Sequence, residues 1–399
     1  MKRPDVSVVV VHHRGHDQLF EALAALEEAC RGRISAEVVV VDNASGLPVG
    51  ELLRRHPTAR CVAAPANVGF AAGCRLGAEA ARSPTLLLVN DDAVVDREAP
   101  LLLAQALERA DADVVAVAGR LTDKTGERND FSDGFLTFDG HAFQRAVGAA
   151  VSDLSESPGE ERLFACGGLM AVRRPDFLSS GGFDDDYFAY LEDVDFGWRQ
   201  WIFGRRIVAE PRAFARHRGG ATGEALGIYS RGYLFERNAF ATAYKNFDAE
   251  HFAALMPSVL AAFLFRVAEM LATRNPGAED LGRDPYAAPS PEAGLSRRLF
   301  GIAESPAVAA RVDDPLTAAH LRALLWIRRN RESLAAKRRA VQSGRRRSDA
   351  EIFARFPLRI VPTYPGDEGF DSDFFREFLA GAPRLVRATL DEIFVGGAA

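Results

Sequence analysis

The feature that most limits how this chain can fold is a series of short, almost wholly apolar segments, each followed by a helix-like stretch. "VSVVVV" (6–11), "AEVVVVD" (36–42), "ARCVAA" (59–64), "TLLLVN" (85–90) and "DVVAVAG" (113–119) are rich in β-branched residues and too short for helices. Between them, "DQLFEALAALEEAC" (17–30) sets Leu19, Leu23 and Leu26 on one helical face. "ELLRRH", "GFAAGCRLGAEAA" and "APLLLAQALERA" also read as helices. Strands apolar on both faces belong in a mainly parallel sheet with helices on each side, an α/β fold. Ligands of such sheets gather at the carboxyl ends of the strands. There the chain places His12 and His13, then Asp42 to Ser45, then Asn90 to Asp92.

The pattern changes after residue 120. Residues 120–162 are polar and rich in Gly, Asp and Phe, which predicts irregular hairpins over the sheet. "ACGGLMAVRR" (165–174) predicts a strand returning to the core, a helix begins near Leu191, and "RRIVAEP" predicts one more strand. From about residue 225 the chain reads as helical, broken by a Pro/Gly-rich linker near 273–294. This divides it into a first domain, 1–245, and a mostly helical C-terminal region, 246–399.

A net charge of -6 argues against general nucleic-acid binding, which needs a basic face. Cys30, Cys61, Cys74 and Cys166 show no C-x-x-C spacing and read as small core residues in a reducing compartment. The apolar run at the N-terminus is too brief for a signal peptide and reads as the first strand. No stretch is expected to reach the roughly 18–20 apolar residues of a membrane span. The nearest, "MPSVLAAFLFRVAEMLA" (256–272), is interrupted by Arg266 and Glu269.

Five stretches carry chemistry. Asp42 in "VVVVDNAS" suits a helix cap or turn, or a carboxylate that accepts a base imide N–H or a ribose hydroxyl. In "NVGFAAGCRLGA", Gly69, Gly73 and Gly77 recur every fourth residue, which puts them on one packing face. That is not the dinucleotide fingerprint, and it argues against a dehydrogenase. "NDDAVVD" offers two oxygen ligands that suit Mg²⁺ or Mn²⁺, or else a solvated loop. "GGFDDDYFAYLEDVDFGWRQWIFG" (181–204) weaves six acids among aromatics, more than a helix N-terminus needs. "ARHRGGATG" sets His217 in a Gly-rich loop after a strand, a structural histidine or a metal ligand.

In this order and spacing, "VVVVDNAS", "NVGFAAG", "LLLVNDD", "CGGLMAVRR", "GGFDDDYFAYLEDVDFGWR" and "RHRGG" resemble the family 2 glycosyltransferases of the GT-A fold, over roughly residues 5–250. The closest resemblance is to bacterial rhamnosyl- and galactofuranosyltransferase-like members that build cell-surface polysaccharides. It implies a metal-dependent, inverting transfer from a nucleotide-diphosphate sugar, most simply a UDP- or dTDP-sugar, to a carbohydrate or lipid-linked glycan acceptor. Asp42 would hold the base or ribose, with Asn67 and Gly69 lining the same pocket. Asp92 falls on the last position of the D-x-D-type motif and Asn90 on its first, and His217 matches the late metal-contacting histidine. Asp193 matches the aspartate of the ED motif, the general base, and Glu192 is the second candidate.

The chain departs from the pattern after the first strand, where His12-His13-Arg14 stands in place of Tyr-Asn, so that His12 is placed in the donor-binding set. It departs again at Asp91, where many relatives have Pro. Asp91 is placed with the donor-binding residues, as an extra ligand or a solvated acid. There is no Q-x-x-R-W motif of processive synthases, and "HHRGHD" makes a poor phosphate loop for a sugar nucleotidyltransferase. The competing reading is a nucleotide- or glycan-binding protein on a GT-A scaffold without turnover. The expected location is the cytoplasm. The apolar segment 256–272 and the arginine-rich "IRRNRESLAAKRRAVQSGRRR" (327–347) leave two alternatives, a solvated face or peripheral attachment at the inner face of the plasma membrane.

Overall fold

The computed structural model describes residues 3–218, 221–276 and 311–395. From residue 277 on, the expected linker lies outside the described residues, as do Gly219 and Gly220 of the "RHRGG" stretch. The chain opens with β1 (Val6–His12), α1 (His16–Cys30), β2 (Ala36–Asp42), α2 (Val49–Arg55), β3 (Ala59–Ala63) and α3 (Gly69–Ala80). It continues through β4 (Thr85–Val89), β5 (Ala93–Val95), α4 (Ala99–Arg109) and β6 (Val114–Thr122). Three short strands, β7 (Asn129–Phe131), β8 (Gly134–Leu136) and β9 (Ala142–Gln144), precede β10 (Leu169–Arg173), α5 (Arg174–Ser179), α6 (Glu192–Ile202) and β11 (Arg206–His217). The remainder is mainly helical: α7 (Ala221–Asn246), α8 (Ala249–Thr273), α9 (Pro315–Ser343) and α10 (Asp349–Arg355) are its principal elements.

The main sheet runs β3-β2-β1-β4-β10-β6-β11-β5, with β7 beside β6. β1 to β4 are mutually parallel and β11 runs parallel to β6, while β10 enters antiparallel between β4 and β6. Alternate residues of each strand serve opposite faces. Val8, Val10, Leu87 and Val89 join the core under α1 and α4, with Leu19, Leu23, Leu103 and Leu107. Val9, Val11, Leu86 and Leu88 join the core under α3, with Ala71, Cys74 and Ala78. This two-sided burial is what the continuous apolar runs require.

The glycines of α3 divide into two kinds. A Cβ on Gly73 would lie 2.6 Å from Val11 Cγ1, and one on Gly77 would clash with Val9, so these two let the helix lie close on β1 and β2. Gly69 does not belong to that face: it has φ +84°, and a Cβ there would clash with the backbone of Phe188. Gly77→Ala is expected to lower stability by about 1–3 kcal/mol, the usual range for overpacking, with activity per folded molecule unchanged. Urea unfolding of both proteins measures it, and a neutral result would mean that α3 can lift from the sheet.

The C-terminal helices are bound to the sheet domain by buried charge. Arg266 on α8 contacts Asp367 (Nε–Oδ1 2.6 Å) and Asp139 in the β8–β9 turn (Nη2–Oδ2 2.8 Å). His141 bridges Asp139 (3.1 Å) and Glu236 of α7 (3.0 Å). All five side chains are at most 4% exposed. The basic run on α9 and beyond is likewise only partly solvated. Arg338 donates to the carbonyls of Tyr244 and Phe247 at 2.6 Å each, Arg345 pairs with Asp349, and Arg347 donates to Gly204 O and Arg205 O. Helix α8, at 25 residues, is longer than the apolar stretch seen in the sequence, and it is long and apolar enough to cross a membrane. Its most apolar window is 56% buried within the protein, and Arg266 lies in that buried face.

Candidate active site

Three strand ends meet at one edge of the sheet. At the end of β2, Asp42 Oδ1 accepts hydrogen bonds from Ser45 N (2.8 Å) and Ser45 Oγ (2.5 Å), closing the turn expected of "DNAS". Oδ2 of this half-buried carboxylate takes no part in the turn's bonds. Beside it the buried Asn43 bonds Asn67 Oδ1 (2.9 Å) through its amide and accepts from Val68 N (2.8 Å). Asn67 also contacts His13 Nε2 (3.1 Å), whose Nδ1 meets Asn43 O (2.9 Å). The positive φ of Gly69 completes the bend into α3. The structure therefore brings Asp42, Asn67 and Gly69 together, with Asn43, not singled out in the sequence, as the residue that fixes them.

At the end of β1, His12 is fully buried and both its ring nitrogens are engaged: Nδ1 with Asp91 Oδ2 (2.6 Å) and Nε2 with His16 Nδ1 (2.8 Å). It can therefore reach a donor only through Asp91, which it orients. Burial pushes the Asp91 carboxyl up, and the adjacent His12 only partly offsets this.

Beyond β4, Asn90 N bonds Gly168 O (3.0 Å), and the Asn90 amide lies 3.2 Å from His217 Nε2. The same Nε2 is 3.0 Å from Asp92 Oδ1, and His217 Nδ1 meets Asp130 Oδ2 at 2.7 Å. His217 reaches Asp92 because β11 pairs antiparallel with β5, matching His217 to Ala93. Burial opposes a charge on His217, but Asp130 and Asp92 on its two sides outweigh it and push it up to about 10. The donor set fits a hard divalent cation: Asp92 would supply oxygen and His217 would supply Nε2, with the Asn90 amide beside them, and Asp130 fixes the ring as a ligand histidine's partner does. Asp130 lies in the polar 120–162 segment, and nothing in the sequence marks it.

The acid-rich segment resolves into two classes. Asp184 pairs with Lys245 (2.6 Å) and Lys337 (2.5 Å), Asp185 with Arg75 (2.7 Å), and Asp186 with Lys337. Asp195 lies between Arg199 (2.8 Å) and Lys245 (3.1 Å). Burial disfavours its ionisation, but these two cations outweigh that and hold Asp195 below the usual carboxylate range. Glu192 and Asp193 have no cationic partner among the described residues. Burial raises both, and raises Glu192 well above its ordinary value, helped by the adjacent Asp193. Glu192 Oε2 is buried without a hydrogen bond. Asp193 Oδ2 accepts from Gly167 N (3.1 Å), one residue from the Gly168 that bonds Asn90. Asp193 thus shares the sheet edge with Asn90, Asp92 and His217.

Before this helix the backbone is held in an unfavourable conformation. Phe188, Tyr190 and Leu191 have φ of 65°, 69° and 63°. Each such non-glycine residue costs on the order of 1–3 kcal/mol and persists only where surrounding contacts over-determine it.

Two other clusters lie away from this edge. A cavity of about 680 Å³ lies between α3, α6 and α9, but its Arg75, Arg199, Lys245 and Lys337 are already ion-paired. Asp248, His251 and Asp349 bring three possible ligand atoms within 4.8 Å of one another. Their hydrogen bonds describe a joint helix cap instead: Asp248 N donates to Asp349 Oδ2 (2.6 Å), Asp349 N to Asp248 Oδ2 (2.9 Å), and Asp248 Oδ1 caps α8 through His251 N (2.8 Å).

Comparison with known protein families covers the strand ends of β1, β2 and β4 but not Glu192, Asp193 or His217. Residues 7–176 match the family described as glycosyl transferase family 2. No curated protein matches the chain. Among solved structures, GalNAc-T7 with UDP, GalNAc and Mn²⁺ superposes with a TM-score of 0.50 at 14% identity, over 74% of this chain and 54% of that one. This chain thus spans about half the length of GalNAc-T7. The mannosyltransferase PcManGT from Pyrobaculum calidifontis, with GDP-Man and Mn²⁺, gives a TM-score of 0.46 at 20% identity, over 82% of this chain and 87% of that one. With the sheet order and the acid-bearing strand ends in agreement, the chain has the GT-A fold, and its residues 7–176 carry a glycosyl transferase family 2 domain.

Proposed function

We propose that this chain transfers a sugar from a nucleotide-diphosphate donor, a UDP- or dTDP-sugar, to a hydroxyl of a glycan or lipid-linked acceptor with inversion, in cell-surface polysaccharide synthesis. A rhamnosyl- or galactofuranosyl-type transfer is the form of it we favour. The observation that carries this reading is the division of the six acids of residues 184–195. Four are neutralised by cations, and the two left over, Glu192 and Asp193, stand beside the strand ends that hold Asp92 and His217. A carboxylate with a raised pKa, next to a cation-binding pair, is what deprotonating a sugar hydroxyl requires.

In this reading Asp193 accepts the acceptor's proton, and Glu192, kept neutral beside it, leaves Asp193 as the one ionised group of the pair. Asp42, Asn67 and Gly69 line the nucleoside side, and Asn90, Asp91 and, behind Asp91, His12 line the diphosphate side. Asp92 and His217 would hold Mg²⁺ or Mn²⁺, which when bound neutralises the diphosphate leaving group. The UDP and Mn²⁺ of the GalNAc-T7 structure are a ligand pair of the kind this edge would accept. We take residues 1–245 as the transferase part, 246–399 as its helical support, and the cytoplasm as the site of action.

The test is a melting-temperature and calorimetric screen of UDP-, dTDP- and GDP-sugars with Mn²⁺, Mg²⁺ or EDTA. One nucleotide series is expected to stabilise the protein only with the divalent cation and to be hydrolysed slowly. Asp130→Asn is expected to weaken Mn²⁺ binding by about 10–100-fold, the usual effect of removing a ligand histidine's partner. Cation-independent stabilisation would remove Asp92 and His217 from the site. Cation-dependent binding without turnover would favour the non-catalytic scaffold.

A further inference from the structure

The left-handed segment before α6 is gripped by two neighbouring residues of α7. Asn238, fully buried, directs its amide at three carbonyls: Tyr187 O (3.0 Å), Ala189 O (2.9 Å) and Tyr190 O (2.7 Å). Arg237 directs one guanidinium nitrogen at Asp186 O (2.8 Å) and Tyr187 O (3.1 Å). The remaining carbonyl, Phe188 O, accepts from Ala71 N at the start of α3 (3.2 Å). Five successive carbonyls, 186–190, are therefore held by groups outside the segment. Arg237 is itself seated between Tyr233 and Trp326, 4.9 and 4.7 Å from their ring centroids.

We propose that Asn238 and Arg237 are positioning residues for the transfer reaction. They hold residues 186–191 in a conformation with positive φ at Phe188, Tyr190 and Leu191, which sets Phe188 against Gly69 on the donor side and Glu192 and Asp193 at the head of α6. Neither residue reaches the reacting atoms. Each acts by supplying donors to carbonyls that no regular element can satisfy, so the segment cannot relax toward ordinary φ values. One segment then fixes the distance between the donor pocket and the base.

The inference rests on Asp193 being the base, and the experiment separates the two. Wild type, Asn238→Ala, Asn238→Asp and Asp193→Asn are compared by hydrolysis of UDP-glucose, dTDP-rhamnose and GDP-mannose with Mn²⁺, and by amide hydrogen exchange. Asn238→Ala is expected to keep its circular dichroism and its donor KM within twofold. Its kcat should fall about 100-fold, the scale of an ångström-level misplacement, and exchange at 187–191 should rise at least tenfold while β1 to β4 stay protected. Asn238→Asp, which sets carboxylate oxygens against the same carbonyls, should be no better. Wild-type exchange at 187–191 in Asn238→Ala, or unchanged kcat with raised KM, overturns the proposal. If Asn238→Ala does not fold, Arg237→Lys keeps the charge, loses the fork, and is read for the same kcat loss at constant KM. An active Asp193→Asn protein defeats the assignment of the base, whereas the exchange result still decides whether Asn238 holds the segment.

Discussion

Asp193→Asn is expected to lose turnover by about 10³-fold, within the range for removal of a general base, and to melt at a higher temperature than the wild type at pH 8. The two results have one cause. Burial without a counter-ion raises the Asp193 pKa above its value in the unfolded chain. Ionising it therefore costs folding free energy at every pH above the folded pKa. That penalty disappears below the unfolded value of about 3.9. The neutral amide removes the penalty along with the proton acceptor. The gain in melting temperature should shrink as the pH is lowered from 8 towards 4. In the wild type, the acidic limb of kcat/KM should lie above the ordinary carboxylate range. A variant that keeps more than a tenth of wild-type kcat would end the assignment, and one that melts lower would show a structural role for Asp193.

Arg266→Ala is expected to have the largest effect on stability, a loss of about 3–5 kcal/mol. The guanidinium contacts Asp367 and Asp139, and removing it leaves both acids buried without that partner. The same cluster gives stability an alkaline edge. Burial opposes a charge on His141, but Asp139 and Glu236 outweigh it and push it up to about 9. Because the folded value exceeds the unfolded one, His141 contributes stability that is fully present below about pH 6.5. That contribution is lost as the pH rises through about 9. Urea unfolding at pH 6, 8 and 10 should show the loss, and His141→Gln should flatten it. Stability indifferent to pH over that span, or an Arg266→Ala cost below about 1 kcal/mol, would show that the cluster is solvated in solution.

What could be read from the sequence and what could not follow from the range of the interactions. The runs around Val8–Val10, Val38–Val41 and Leu86–Leu88 are legible because a strand buried on both faces writes its environment into consecutive residues. The sense of β10 is not, since "LMAVR" would be equally apolar in either direction. β5 is three residues long and carries no period to detect. At the site, Asp92, His217 and Asp193 are legible as candidates because each lies in a distinctive local stretch. Which acids of 184–195 are neutralised was hidden, because Lys245 and Lys337 lie about 60 and 150 positions away. Asp130 and Asn238 were hidden for the same reason: each matters only for what it touches. The arginines after residue 327 looked like a solvated or lipid-facing surface, yet Arg338, Arg345 and Arg347 close carbonyls and ion pairs inside the molecule.

The seat of Arg237 between Tyr233 and Trp326 bears on how this chain could be divided or recombined. Trp326 belongs to α9, more than 100 residues after the last strand of the main sheet, yet it backs the guanidinium that grips the segment before α6. A version cut after residue 245 would keep every acid and histidine of the strand edge and lose the backing of that grip, together with Arg266 and Lys337. Transplanting the first 245 residues onto another helical tail would fail in the same way. The strand edge and the helices that back it are therefore better exchanged together than as separate modules.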